Sequence, residues 1–530
     1  MKIKFILVGI ILLAAFLRLW QLGLVPPSPD WDEAALGYNA YSIRETGKDE
    51  YGVSFPIILR SFDDYKPPMY MYLNVPSVAI FGLTPFAARL PSAIFGFLTV
   101  PVIYFLTKKL FDDPKFHFSL FTFHFSLAHV SALMLAISPW HIQFSRVGFE
   151  ATVGLFFAVA AVTAFLYGIT RPRLLILSGV TLGLSSYTYH TERIFVPLVF
   201  IATFIIWKKE IFKIAKKYLF FFALITILIS LPLVVLIPPK VILQRFEVTT
   251  GRPKLEDIEK SIKFIHQDNS TRISKIVHNR RFVIGQTYFA NYLSHFDFNF
   301  LFTKGDDNLR HHIDNMGMLY LFEMPLILLA LFNLVRYKTK QFIFILAWLI
   351  IAPIAASPAT PNPHGNRSLP MVIALEICST YGLFIFVSSR FHFKKTIVVT
   401  YSLWILLSFL IYLHNYWSHY PYDKASFWQY GYKEAVQETE NLKASYEKID
   451  IDHSLEQGYI FWLFNTKYDP KTYQESGSRY HFDKFYFDVK PEKPNELFVA
   501  SAGSFPANFE VTKIIFYPDG TPAIKIGSLH

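Results

Sequence analysis

Asp30, Asp32 and Glu33 crowd into a single helical turn in "PPSPDWDEAALGYNAY", residues 26–41. A carboxylate in such a cluster can serve as a general base that takes a proton from a hydroxyl nucleophile. The same residues also have a structural reading. Asp30 suits an N-cap, Glu33 its capping-box partner, Asp32 the first turn and Gly47 a C-cap. A second acidic group with a cation follows in "RSFDDYKPPMYMY", where Asp63, Asp64 and Tyr65 precede Lys66. Further on, imidazoles and guanidinium groups come in pairs: His141 with Arg146, His190 with Arg193, His364 with Arg367. Cations of this kind stabilise charge gathering on a phosphate leaving group, so the set as a whole is suited to group transfer from a phosphate ester. The plain alternative for any one arginine is snorkelling at a membrane surface.

The elements that must position these groups are apolar helices. Of the 530 residues 52% are hydrophobic and only 17% charged, and the 54 Phe fall in long apolar runs, the pattern of a polytopic membrane protein. About eleven spans are expected, near 4–24, 88–107, 118–137, 151–169, 174–187, 193–207, 218–237, 316–335, 342–357, 369–389 and 396–413. The first is read as an uncleaved helix, since no convincing small-residue cleavage site precedes "WQLGLVPPSPD". A net charge of +11 would suggest nucleic acid in a soluble chain. Here the charge sits in "KKLFDDPK", "TRPR", "KKEIFKIAKK", "RYKTK" and "RFHFKK", which alternate connections place on the side of "MKIK". The positive-inside rule makes that side cytoplasmic, so no nucleic-acid partner is expected. The first loop 25–87, the large loop 238–315 and the tail then lie outside. The apolar stretch 67–85 is assigned to an interfacial or re-entrant helix, because counting it as a span would invert every later loop. The single cysteine, Cys378, excludes an intrachain disulfide. The tail, 414–530, is expected to be a small extracytoplasmic α/β domain, with "KEAVQETENLKASYEK" a helix, "KIDIDHS", "YIFWLF", "KFYFDV" and "NELFVA" strands, and "FEVTKIIFYPDGTPAIKIG" a hairpin turning at Asp519 and Gly520.

In this order, "WDEAALGYNAYSIRETGKDEYG", "FDDYKPPMYMYL", "ARLPSAIFG", "SPWHIQFSRVGFE", "YTYHTERIFVP" and "PHGNRSLP" resemble the bacterial branch of the dolichyl-phosphate-mannose protein mannosyltransferases, and also the lipid A aminoarabinose transferases. The resemblance covers roughly residues 1–420. It implies a GT-C glycosyltransferase fold over 1–413 in a multi-pass cell-membrane protein, with its active site on the extracytoplasmic face. The implied reaction moves a sugar from a polyprenyl-phosphate donor to a hydroxyl on a lipid, glycan or protein acceptor, with inversion at the anomeric carbon. By the same resemblance Asp32, paired with Glu33, is the base. Lys66 stands at the donor phosphate, and Asp63, Asp64 and Tyr65 lie beside the substrate. His190, Arg193, His364, Arg367 and Arg146 hold the lipid phosphate, while Arg89 packs the interfacial helix. Some relatives bind a metal; this sequence has enough His and Asp to allow a divalent ion but no HExxH or other fixed-spacing ligand set, so none is assigned. Loop 238–315 is too short for the β-trefoil of the eukaryotic relatives. The alternative from another class is a transporter or flippase. It would need charged residues near mid-span and a two-fold repeat; the spans are nearly free of acidic residues, Glu323 and Glu376 being the exceptions, and no repeat is visible.

Overall fold

The computed structural model describes residues 2–111, 117–120, 123–238, 255–389 and 394–529. The expectations for 239–254 in the large loop, and for most of "FDDPK" and "RFHFKK", lie outside the described residues. The chain forms two compact units. One comprises Met1–Leu17, Phe95–Phe144 and Ala151–Leu410; the other comprises Arg18–Ile94, Ser145–Glu150 and Ile411–His530.

In the first unit the apolar runs fold as helices. Among the described residues of the whole chain, five helices are long and apolar enough to cross a membrane: Pro85–Leu110, Glu150–Gly168, Lys216–Val235, Met371–Ser388 and Lys395–Asp423. Phe5–Leu19, Leu127–Ile137, Leu174–Ser185 and Lys340–Ile351 are apolar but shorter. Lys216–Val235 is apolar all round, yet only 6% of its apolar window is buried by the protein, and Phe220, Ile227, Leu228 and Val234 stand exposed. A surface of that kind is stable against lipid and not against water. The expected span 118–137 needs correction. Residues 117–120 (β3) and 123–126 (β4) pair antiparallel, and the helix begins only at Leu127. The sequence there alternates Phe with Ser and His, a period-two pattern that outweighs its hydropathy. The large loop carries the helices Leu255–Gln267, Arg272–Val277 and Arg280–Ser294.

The second unit is built around the first acidic cluster. Helix Trp31–Thr46 starts at Asp30 and stops at Gly47, whose φ of 70° closes the C-cap. A hairpin follows, with β1 (Leu59–Ser61) and β2 (Asp64–Lys66) joined through Phe62 and Asp63. Helix Met69–Phe81 has 13 residues, or about 20 Å at 1.5 Å per residue, short of a membrane span. The tail contributes helices Tyr432–Leu442, Gly458–Thr466 and Pro470–Ser476 and a six-stranded sheet. Its strands are β5 (Lys448–Ile451), β6 (His481–Phe482), β7 (Phe485–Phe487), β8 (Glu496–Ser501), β9 (Phe509–Phe516) and β10 (Pro522–Leu529), in the order β6-β7-β5-β8-β10-β9. β5 runs parallel to β7 and β8, and β9–β10 is the hairpin expected around Asp519 and Gly520. "YIFWLF", expected as a strand, is helical. All of 458–464 is buried, and an apolar run buried on every side carries no periodicity to tell helix from strand.

The helix Trp31–Thr46 packs on this tail. Tyr38 meets Tyr473 edge to face at 6.2 Å and donates to the Tyr468 carbonyl at 3.1 Å. A Cβ added at Gly37 would lie 2.8 Å from Cε2 of the buried Phe464. Gly37→Ala is therefore expected to destabilise the unit by about 1–3 kcal/mol through overpacking, read as a lower thermal midpoint.

Candidate active site

The helix start sets the geometry of the acidic cluster. Asp30 Oδ1 accepts from the Glu33 amide at 2.8 Å, and Glu33 Oε2 accepts from the Asp30 amide at 3.1 Å, so the capping box is complete. Glu33 is then fully engaged. Its Oε1 accepts from Arg89 Nε and from the Gly148 amide, both at 2.8 Å, and its Oε2 from Arg89 Nη2 at 3.0 Å. Arg89, buried like Glu33, spends its remaining donors on the carbonyls of Leu22, Pro26 and Ser28 at 3.0, 2.9 and 2.7 Å. The pair thus ties the entering turn, the helix start and residues 145–150 together. Gly148 fits here without a side chain, since a Cβ would come within 3.0 Å of Glu33 Cγ.

Asp32 points elsewhere. Its side chain is 36% exposed and pairs with the Lys66 ammonium at the end of β2. Burial opposes the charge on Lys66, but the carboxylates of Asp32 and Glu150 outweigh it and hold the ammonium above its ordinary pKa. A half-open carboxylate beside a cation can accept a proton from one ligand while the cation faces an anionic group on another. Asp64 Oδ1 caps the Tyr65 amide at 2.7 Å, whereas Asp63 projects into solvent and pairs with Arg479 of the tail at 2.7 Å. Arg146 is buried. Its Nε donates to the Tyr416 hydroxyl at 3.2 Å, its Nη2 to the Val25 carbonyl at 3.0 Å, and the rings of Tyr416 and Trp417 lie 5.3 and 4.9 Å from its guanidinium carbon. These contacts are those of a packed structural arginine. Arg89, Glu150 and Tyr416 join the site only through the fold. Arg89 and Glu150 fall in "ARLPSAIFG" and "SPWHIQFSRVGFE", but nothing local in the sequence marks their partners.

The other expected residues lie in the first unit. Arg193 donates to the Ser186 carbonyl at 2.9 Å and approaches His190 at 3.3 Å, and its buried Nη2 has no partner among the described residues. Tyr189 and Asn366 bring this loop to that of Arg367, whose Nη1 reaches the Thr360 carbonyl at 3.4 Å. His364 belongs to a different grouping. Asp306, His311 and His364 place their ligand atoms within 4.8 Å of one another, with His311 Nδ1 2.6 Å from Asp306 Oδ2. Burial alone would raise the Asp306 carboxyl, but His311 and His364 bring it below its ordinary value. Burial, with His311 and Arg367 nearby, keeps the His364 imidazole well below its own. A carboxylate with two imidazoles is a donor set that fits zinc. Its members lie too far apart in sequence for any spacing motif to show them.

One buried acid in the second unit sets a pH dependence. Glu50 exchanges hydrogen bonds with Asn39, Oε1 accepting from Nδ2 at 3.0 Å and its amide donating to Oδ1 at 2.9 Å. Burial pushes the Glu50 carboxyl up to about 7. Between the ordinary carboxylate value and about 7 the folded state therefore holds a proton that the unfolded state has released, so stability falls as pH rises through that window. The full loss is on the order of 3 kcal/mol by pH of about 8. Thermal unfolding at acid and mildly alkaline pH checks this, and Glu50→Gln is expected to remove most of the difference.

With the geometry described, the chain can be set beside known proteins. Residues 65–235 match the family described as dolichyl-phosphate-mannose-protein mannosyltransferase. No curated protein matches the sequence. Among solved structures, ArnT from Cupriavidus metallidurans in the apo state superposes with a TM-score of 0.55 at 12% identity, covering 99% of this chain and 98% of that one. The same protein bound to undecaprenyl phosphate gives 0.54 at 12% identity, with the same coverage. The Archaeoglobus fulgidus oligosaccharyltransferase tethered to an acceptor peptide gives 0.49 at 16%, covering 86% of this chain and 62% of that one. The likeness to ArnT shows a helical GT-C-like fold.

Proposed function

We propose that this chain, which falls in the GT-C superfamily of protein mannosyltransferases and aminoarabinose transferases, moves a sugar from a polyprenyl phosphate to an acceptor hydroxyl on the extracytoplasmic face of the cell membrane. The observation that carries this reading is the half-open Asp32–Lys66 ion pair in the first outer loop. In the proposed step the donor phosphate draws Lys66 from Asp32. Asp32 then takes the proton of the acceptor hydroxyl, whose oxygen attacks the anomeric carbon. The carbon–oxygen bond to phosphate breaks with inversion, and polyprenyl phosphate leaves with the electron pair. Glu33 and Arg89 are assigned to positioning: they hold the helix start from which Asp32 projects, and Glu33 has no oxygen left for a proton. Arg146 is assigned to the same structural role. In the first unit Arg193 and Arg367 are assigned to lipid phosphate, supported by the unpartnered Nη2 of Arg193. A divalent metal would be held by Asp306, His311 and His364, where it would supply fixed positive charge and brace the two loops that carry them.

The test is release of polyprenyl phosphate from a panel of polyprenyl-phosphate sugars by the purified protein in lipid, with a membrane-derived acceptor fraction. Acceptor-dependent release with one donor identifies the sugar. Absence of release with every donor would overturn the reading in favour of transport of a lipid-linked substrate.

A further inference from the structure

The second unit contains a cleft of about 410 Å³ that the catalytic proposal does not use. Its volume is that of a small-molecule site. Trp31 and Asp63 line it from the first loop, and Glu456, Tyr459, Arg479 and Asp488 from the tail. The Asp63–Arg479 ion pair closes across it at 2.7 Å, and the ring of Phe62, next to Asp63, packs edge to face on Tyr459 at 6.0 Å.

The backbone around this cleft is held in unusual conformations. Phe62, Gln457 and Asp488 have φ values of 57°, 54° and 61°, and each either lines the cleft or precedes a residue that does. A non-glycine residue in the left-handed region is strained, and such residues collect where side chains must be aimed at a ligand. Phe62 makes the turn of the β1–β2 hairpin and sets Asp63 at the rim of the cleft, solvent-exposed and paired with Arg479.

Two short chain segments connect the cleft to the proposed base. Trp31 directly precedes Asp32. Asp63 lies one strand length, about 10 Å, from Lys66, the partner of Asp32. A ligand seated in the cleft would thus have its end within reach of Asp32, while the lipid donor is served by Lys66. The charge of the lining restricts what that ligand can be. Asp63, Glu456 and Asp488 set three carboxylates against the guanidinium of Arg479 and the imidazole of His453. An anionic acceptor would be repelled, whereas carboxylates, an arginine and aromatic rings together suit the hydroxyls and the apolar faces of a sugar.

We infer that this cleft is the acceptor subsite and that it takes a neutral or amino-bearing glycan. The inference rests on the glycosyl-transfer reading above and adds the chemical class of the acceptor. It is tested by equilibrium binding of fluorescently tagged mannotetraose and of tagged tetragalacturonate to the full-length protein in lipid. The comparison is the double variant Glu456→Gln, Asp488→Asn. Both positions are exposed, and asparagine tolerates the left-handed backbone at 488, so the fold is retained. The expected result is that wild type binds the neutral glycan at least about tenfold more tightly than the anionic one, and that the double variant loses about tenfold for the neutral glycan. Tighter binding of the anionic glycan, or neutral binding unchanged in the variant, would overturn the inference. So would a wild type that binds neither glycan yet releases polyprenyl phosphate, and that outcome would leave the transfer reading standing. Glycan binding as expected with no release from any donor would instead remove the acceptor role together with the transfer reading.

Discussion

Asp32→Asn is expected to lower acceptor-dependent release of polyprenyl phosphate by about 10²–10⁴-fold while leaving the thermal midpoint close to wild type. The two halves of this result have separate causes. Asparagine keeps the size and polarity of the side chain but has no basicity, so the acceptor hydroxyl would have to attack with its proton still attached. Asp32 is 36% exposed, and once its charge is removed the largely buried Lys66 ammonium keeps the Glu150 carboxylate as a countercharge, so no buried cation is left unpaired. Lys66→Met should also slow release, by about 10²–10³-fold, through loss of charge at the phosphate. Lys66→Arg, which retains the charge, should recover part of the rate. An Asp32→Asn protein with wild-type release would return Asp32 to the first turn of its helix as a residue favourable to the helix dipole and no more.

Arg89→Met should have its largest effect on folding. It strips the cation from a buried carboxylate that also holds the Asp30 and Gly148 amides, and breaking such a pair costs about 3–5 kcal/mol. That is a large part of the stability of any domain. A second substitution distinguishes the pair from the rest of the network. Changing Glu33 to Leu in the Arg89→Met background removes the stranded charge, so part of the loss should return. Recovery should stay incomplete by about 1–3 kcal/mol, because the carbonyls of Leu22, Pro26 and Ser28 remain without the donors they had and the Asp30 and Gly148 amides lose their acceptor. Thermal unfolding of the three proteins in the same detergent measures both steps. Full recovery in the double variant would mean that Arg89 serves Glu33 alone.

The capping box shows what local sequence can tell. Asp30, Glu33 and Gly47 sit where their spacing places them, because the rule involves only neighbours along one turn. The spacing does not tell which of the acidic residues is open to solvent. That depends on Arg89 and on the Gly148 amide, which come from other parts of the chain. The helical spacing of Trp31, Ala34, Ala35, Tyr38 and Tyr41 marks an apolar face, and a helix that directly follows an apolar run is expected to lay such a face on the membrane. In the structure Tyr38 packs on Tyr473 and Tyr468 of the tail. An apolar stripe records that something covers it and carries no information about what. The same limit explains the Asp306, His311 and His364 grouping. Its members come from two loops, and their proximity is a property of the fold. Hydropathy over 118–137 failed for another reason: a Phe-rich segment scores as membrane whether its period is helical or two.

The second unit draws together stretches from near both ends of the sequence, and this fixes an order of events during synthesis. The Tyr38 hydroxyl donates to the carbonyl of a residue 430 positions later. At about 5–20 residues per second the ribosome needs roughly 20–90 s to make that interval. Through that time the helix carrying Asp32 lacks the surface it will pack against. The Asp32 region therefore reaches its packed form only after residues 468–473 have been made, and under the proposed transfer reaction a nascent chain is expected to be inert until that stretch has docked.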